Sequence, residues 1–533
     1  MSRSARIAAG LITGYLAILA NIIYSLASIP LALHYLGREQ FGLWAVIMQI
    51  FGYLQLLDIG ISQGVSRILI DYKDTPEDGR YGRAMATALV AQSIIGGVIS
   101  AVALIGAPWI GELFDIPQHL RGEFVLLMRI QSVITGIGVA TRVLGAPLYA
   151  HQRQDIGNYS VLGLFCILFA ALWIGFNWGM GIYAMLLSSG VGLVWGMGFS
   201  LIACTRLGIL PPIRQLFAPS REIFRSVFAF SRDNFLMSLG WQLLTGSPVL
   251  IISRALGLEQ AAIWSVCNRP FMITLQLLSR PLDYSTPGFC EMQTRNEHTS
   301  LRKRYRQAMQ LTAAFALLAC LVVSITVVPF VQVWTRGTVE FPFPLAAALA
   351  LTTGIYATMR FYNGIPAVSK HFGWLGYTYA VEGALLFGLG TLIAPHAGMV
   401  SVPLLAAALH LIVSSQAGIH EFRKFFRLSW KESTIGYIGS TLRCIPLCVA
   451  ITAGVLLATM SLDGALALVA RAGLLAPLLA LVIYHLGLDP DTRTEALEKS
   501  RGALRSIVGK FQSKKAPAAP TAVTPDSSKQ RKD

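Results

Sequence analysis

Fourteen apolar runs of about 20 residues recur along this chain, and a run of that length crosses a bilayer as a helix. They cover 8–33, 42–66, 84–106, 124–146, 157–177, 181–203, 233–253, 261–283, 308–330, 344–366, 374–393, 400–420, 436–460 and 464–486. A soluble core has no place for so many. Composition agrees: only 13% of the 533 residues are charged and 54% are hydrophobic, where a soluble domain carries about 25% charged residues. Arg3 and Arg6 precede the first run, and Ser25-Leu26-Ala27 imitates a cleavage site. That run is nevertheless longer than the ~7–15 residues of a signal-peptide core, so it is read as a span. The expected fold class is an all-α polytopic membrane protein with about 14 transmembrane helices.

Loop charge sets the orientation. With the N-terminus in the cytoplasm, 31 of the 43 Lys and Arg residues fall in inner segments, and only Arg38, Arg121, Arg254 and Arg336 fall in outer loops. The remaining eight lie within spans. This asymmetry follows the positive-inside rule and places both termini in the cytoplasm. It also accounts for the net charge of +16 by attraction to an anionic inner leaflet, so the basic balance implies no nucleic acid partner.

An internal repeat organises the spans. Leu36-Gly37-Arg38-Glu39-Gln40-Phe41-Gly42-Leu43-Trp44 recurs as Leu256-Gly257-Leu258-Glu259-Gln260-Ala261-Ala262-Ile263-Trp264, at an offset of 220. Tyr81-x-x-Ala84-Met85 matches Tyr305-x-x-Ala308-Met309, Pro108 matches Pro329 after spans 3 and 9, and Gly145-x-Pro147 matches Gly364-x-Pro366. Gly37 and Gly257 are expected in the left-handed conformation that ends a helix, with Glu39 and Glu259 near the next N-terminus. Six spans is an even number, so the two copies are parallel. Two such bundles around a central cavity are a common transporter plan.

The resulting domains are a first six-helix lobe at 1–203, a cytoplasmic linker at 204–232, a second six-helix lobe at 233–435 and two further helices at 436–486. The linker carries five Arg and an apolar set (Ile223, Phe224, Val227, Phe228) at helical spacing, which reads as an amphipathic surface helix. Residues 487–533 form a basic cytoplasmic tail, with a second surface helix over 489–511 and disorder expected after about 513. Gly10-x-x-x-Gly14, Gly60-x-x-x-Gly64 and Gly192-x-x-x-Gly196 read as close helix packing.

Catalytic and metal signatures are missing. The sequence contains no GxxxxGK[ST] and no HExxH, and its seven cysteines form no CxxC pair. His410 and His420 are ten residues apart on one helix, too far for a shared metal, and no cofactor is implied. The outer loops are too short for a catalytic domain, so an enzyme is not expected. Intramembrane charge is what remains, and it normally faces a wet cavity or a partner. Arg269 and Glu382, roughly mid-span, are read as cavity residues, the competing reading being an Arg–carboxylate pair. Arg142, Arg280, Arg360 and Arg443 lie in cytoplasmic thirds, where cavity lining competes with snorkelling. Arg129 and Arg471 lie nearer the outer face, while Arg67, Asp233 and Asp283 read as boundary residues. Asn21 is mid-span before Pro30, and either lines the cavity or bonds a neighbouring helix. Asp58 pairs with Arg67 or Arg142, or acts as a protonatable coupling site. The candidate cavity set is therefore Arg269, Arg360, Arg142, Arg280, Arg129 and Asn21, with Asp58 and Glu382 as candidates for a coupling ion. Such a cationic interior suits an anionic substrate, since Arg grips phosphate bidentately.

The segment Leu36–Trp44, continuing through Gly52-Tyr53-Leu54-Gln55-Leu56-Leu57-Asp58-Ile59-Gly60-Ile61 to Ser66-Arg67, resembles the polysaccharide transporter family, as does Pro147-Leu148-Tyr149-Ala150-His151-Gln152-Arg153. That family includes the O-antigen and exopolysaccharide flippases of the multidrug/oligosaccharidyl-lipid/polysaccharide exporter superfamily. The resemblance implies a bacterial inner-membrane protein working by alternating access. It implies that a polyprenyl-pyrophosphate-linked oligosaccharide is delivered outward, with membrane lipids and other polysaccharide-assembly proteins as partners. The alternatives are a drug or metabolite exporter of the same superfamily, whose cavity is more often acidic, and a non-transport scaffold of a synthesis complex. Gly246-Ser247-Pro248-Val249 departs from the family pattern, and span 7 is expected to be irregular there.

Overall fold

A computed structural model describes residues 3–58, 79–151, 153–369 and 374–494, together with Val65, Leu69 and Tyr72. Arg67, the Gly60/Gly64 pair, the side chain of Asp233 and the tail beyond 494 lie outside the described residues. Among the described residues there are only helices and their connections: α1 (Arg3–Leu54), α2 (Arg80–Leu113), α3 (Gln118–Thr141), α4 (Gln154–Asn177), α5 (Tyr183–Arg206), α6 (Arg221–Leu256), α7 (Leu258–Thr294), α8 (His298–Trp334), α9 (Phe343–Asn363), α10 (Leu375–Ala397), α11 (Ser401–Ile412), α12 (Ser414–Phe426), α13 (Trp430–Ala458) and α14 (Gly464–Val482). Eleven helical stretches are long and apolar enough to cross a membrane, so the protein is an all-α polytopic membrane protein. One of them, Leu16–Asp58, has 43 residues, about 65 Å at 1.5 Å per residue and roughly twice a hydrocarbon core. It turns back at Gly37. The helices carrying Arg269, Arg280, Asp283 and Arg360, α7 and α9, are not among the eleven.

The repeated turns differ from a simple left-handed cap. Gly37 has φ 70° and ψ −175°, and Gly257 has φ 91° and ψ 172°, a backbone region open essentially to glycine alone. The two turns also meet. A Cβ on Gly42 would run into the backbone of Leu258 and Ala262, so the first copy of the motif presses its glycine against the start of the second. Glu39 lies 3.1 Å from His119, and Glu259 is in the first turn of α7.

Pro108 and Pro329 lie inside α2 and α8 rather than after them. A proline inside a helix deprives the carbonyl four residues earlier of its donor. Here those carbonyls are served from other helices. Arg129 Nε donates to the Leu104 carbonyl (3.3 Å), four residues before Pro108. Arg471 Nη1 donates to the Ile325 carbonyl (3.2 Å), four before Pro329. Trp334 Nε1 donates to the Leu26 carbonyl (2.5 Å), four before Pro30. In hydrocarbon no water replaces such bonds.

Helix association in lipid rests on packing and hydrogen bonds, and a close backbone approach of that kind joins Gly96 of α2 to Gly136 of α3. Gly192 packs on Leu164 and Leu168 and Gly14 near Asn158, whereas Gly196 faces open space. The linker differs from expectation too. After α5 it makes a short turn of helix at Ile213–Phe217, and from Arg221 the chain runs as one helix to Leu256. It is therefore continuous with span 7, not a separate surface helix. That helix stays regular through Gly246-Ser247-Pro248, where Tyr53 Oη and Ser247 Oγ share a hydrogen bond of 2.9 Å.

Packing is asymmetric along the bundle axis. At the end holding the Gly37 and Gly257 turns, one apolar cluster joins both halves of the chain, with Leu43, Phe51 and Phe124 packed in the same core as Ile251, Trp264 and Val331. At the opposite end there are two smaller clusters, one around Tyr81, Met85 and Val143 with Ile223 of α6 packed against it, the other around Tyr305, Tyr362 and Phe422. Arg38 Nε reaches the Thr338 carbonyl (2.8 Å) and Arg254 stands 3.9 Å from Asp115, both bridging the halves at the turn end.

Candidate functional site: a cationic cavity

A cavity of about 370 Å³ lies where α1, α6, α7 and α9 converge. Most of its polar lining comes from one stripe of α7: Arg269, Gln276, Arg280 and Asp283 recur at i, i+7, i+11 and i+14, which returns them to one helix face. The stripe extends about 21 Å along the axis. Asn21 enters from α1, Trp241 from α6 and Arg360 from α9.

The three arginines are held differently. Arg269 Nη2 donates to Ser25 Oγ and lies 3.5 Å from Asn21 Oδ1, and Ser25 in turn donates to Asn21 (3.4 Å). Arg360 Nη2 donates to Asp283 Oδ1 at 2.8 Å, with the two side chains 38% and 37% exposed. Among the described residues, no hydrogen-bond partner meets the buried Nε atoms of Arg269, Arg280 and Arg360. Three guanidinium groups thus face a site with one carboxylate. Arg forks match the geometry of phosphate oxygens, while Ile22, Trp241 and Met272 supply apolar wall.

Of the sequence candidates, the structure brings Arg269, Arg280, Arg360 and Asn21 into this cavity and leaves four outside. Arg142 pairs with Asp58 (3.1 Å) and donates to Gln55 Oε1 (3.0 Å) within the first half. That removes Arg142 from the cavity and realises the structural alternative for Asp58. Arg129 serves the carbonyl that Pro108 leaves open, which accounts for a cation at that depth without a ligand. Among the described residues Glu382 pairs with no arginine. It is fully buried in the second half, its Oε1 2.9 Å from His410 Nδ1. Asp283, read from sequence as a boundary residue, is a cavity residue bound to Arg360, and Trp241 and Gln276 were missed. The i+7 and i+14 spacing from Arg269 was the available signal for Gln276 and Asp283.

The sequence profile of a family described as "Polysaccharide biosynthesis protein" matches residues 31–335. No curated protein sequence matches the chain. Among solved structures, the lipid II flippase MurJ in an inward closed conformation is similar with a TM-score of 0.62 at 12% identity, over 89% of this chain and 98% of that one. A multidrug resistance MATE family transporter of the MOP superfamily, inward-facing, gives 0.60 at 14% identity over 76% and 95%. A MOP superfamily transporter from Pyrococcus furiosus gives 0.54 at 14% over 80% and 94%. The fold is thus that of MOP-superfamily transport proteins, and with more than half of its length matched by the profile, the chain belongs to the polysaccharide biosynthesis protein family.

Proposed function

We propose that this protein is a flippase that moves a polyprenyl-pyrophosphate-linked oligosaccharide from the cytoplasmic to the outer leaflet of a bacterial inner membrane. The observation that carries this reading is the cavity itself: three arginines against one aspartate, with guanidinium Nε–H groups unpartnered among the described residues, in a chain whose family serves polysaccharide biosynthesis. A pyrophosphate needs such cations, a glycan needs a hydrated path, and a polyprenyl tail can stay in the bilayer where the halves part.

On this reading fourteen crossings form two six-helix lobes, 1–203 and 233–435, with α13 and α14 added after the repeat, and alternating access rocks one lobe on the other. The positive-inside distribution puts the turn end outside and both termini in the cytoplasm. The apolar cluster shared around the Gly37 and Gly257 turns then closes the outer side, which supports an inward-facing state. The deciding experiment is mass spectrometry of lipid-linked glycans in a deletion strain. One polyprenyl-linked oligosaccharide should accumulate while surface polysaccharide falls, and plasmid-borne wild type should reverse both. Arg269→Ala and Arg360→Ala should fail to reverse them at normal membrane abundance. An unchanged glycan pool would refute the reading.

A further inference from the structure

We propose that the groove between α4 and α5 is a binding site for an anionic phospholipid, with the phosphate on Arg206 and one acyl chain laid along α5. The inference goes beyond the flippase reading and does not depend on it. The groove has a volume of about 540 Å³. Val191, Trp195, Gly198, Ile202 and Arg206 line it from α5, and their spacing of three to four residues puts them on one helix face. Ile156 and Ile167 supply the α4 side.

Two features hollow out what would otherwise be a plain lipid-facing surface. Gly198 has no side chain, and a Cβ there would meet nothing within 4 Å. Trp195 is drawn onto α4, where a Cβ on Gly163 would collide with its ring, and its Nε1 donates to the Ser160 carbonyl (3.0 Å). A tryptophan that anchors a helix at the membrane surface keeps its N–H on the wet side. Trp195 instead lies eleven residues before Arg206, about 16 Å deeper along the helix, and its N–H is used inside the protein. The groove therefore receives an apolar ring, with Phe199 beside it (ring centroids 5.5 Å apart).

The charge at the mouth selects the occupant. Met185, in the first turn of α5, belongs to the shared core at the turn end, and Leu210, just past Arg206, packs on the Tyr81 cluster at the other. Arg206 thus stands at the membrane surface away from the turns. An arginine at a helix C-terminus suits the dipole and reaches the interface unaided, but here it has no counter-charge. Arg153, at the adjoining end of α4, is held by Asp155 (3.1 Å), whereas among the described residues Arg206 has no ion pair. From Val191 to Arg206 the groove runs about 22 Å, enough for a chain filling one leaflet of a ~30 Å hydrocarbon core. A phospholipid with net negative charge supplies both the chain and the counter-charge, while a zwitterionic one brings its own cation. The groove shares no lining residue with the arginine cavity, so the tail of a headgroup held there is not its occupant. A groove of about 440 Å³ between α8, α9 and α13 has no charged side chain in its lining, and hence no basis for such a preference.

The test uses the full chain in phosphatidylcholine nanodiscs, titrated with dibrominated phosphatidylglycerol or dibrominated phosphatidylcholine. Bromine on an acyl chain quenches tryptophan on contact, and the difference between wild type and Trp195→Phe isolates Trp195 among the ten tryptophans. Half-quenching of Trp195 should need about fivefold less phosphatidylglycerol than phosphatidylcholine, and the two curves should merge in Arg206→Gln. Coincident curves in the wild type would overturn the proposal, as would a preference that survives Arg206→Gln. Gly198→Leu fills the groove from open space and should protect Trp195 from both lipids; unchanged quenching in that variant would refute the site. Native mass spectrometry needs no tryptophan change. It should show one fewer retained phosphatidylglycerol on Arg206→Gln than on the wild type, and equal numbers would refute the role of Arg206. A polyprenyl phosphate that displaces the brominated lipid from Trp195 at a mole fraction below that of phosphatidylglycerol would give the groove to a polyprenyl chain and overturn the proposal.

Discussion

Arg269, Arg280 and Arg360 illustrate how far one residue can be read alone. An arginine in the middle of an apolar run must face something polar, and that argument names the three side chains that share the cavity with Asn21. The same argument names Arg129, Arg142 and Glu382, and there it lacks the decisive fact. Their partners, the Leu104 carbonyl, Asp58 and His410, sit on other helices at no fixed sequence spacing. Asp283 gives the sharpest prediction at this scale. Its carboxylate holds Arg360 while half exposed, so the pair itself contributes little. Asp283→Ala should therefore tighten binding of farnesyl pyrophosphate by about threefold, as one negative charge leaves a partly screened site. Arg142→Ala should leave that affinity within twofold of wild type and lower thermal stability instead, through loss of its ion pair with buried Asp58.

Among the elements, the helix termini and kinks were the parts least legible in sequence. Apolar length placed nearly every helix, but it left out the overhangs to Thr294 and His298. It also separated the linker from α6, since no proline or glycine marks what the charged residues around Arg232 made look like a boundary. The repeat pointed to the Gly37 and Gly257 turns, while Gly42 needed the fold, because its constraint is the backbone of Leu258 from the other copy. Gly42→Val should lower the thermal midpoint of the purified protein, at a cost of about 1–3 kcal/mol from overpacking. Gly196→Val, facing open space, should not. The proline-exposed carbonyls give a cycle with a definite sign. Arg471→Leu should cost about 1–3 kcal/mol by leaving the Ile325 carbonyl unpaired. Adding Pro329→Ala returns an N–H to that carbonyl, so the double variant should be more stable than Arg471→Leu alone.

For the whole molecule, the shared core at the turn end defines which contacts must separate if the two halves rock. Arg38 and Thr338 are joined across that end. With the native cysteines replaced (Cys166 is exposed), Arg38→Cys and Thr338→Cys joined by a bis-thiol cross-linker of arginine length that reductant cleaves should stop lipid-linked glycan export, and reduction should restore it. Export that continues in the fully cross-linked protein would exclude rocking at this seam. The architecture also bears on the pair of helices that follow the duplication. In the first copy the carbonyl exposed by Pro108 is met by Arg129, a residue of that same copy. In the second copy the carbonyl exposed by Pro329 is met by Arg471, from α14. On the two-lobe reading proposed above, the repeated unit is complete once and incomplete once, and a protein shortened to residue 435 would keep both proposed lobes yet leave the Ile325 carbonyl without Arg471. The last two helices are in this respect a missing piece of the second repeat.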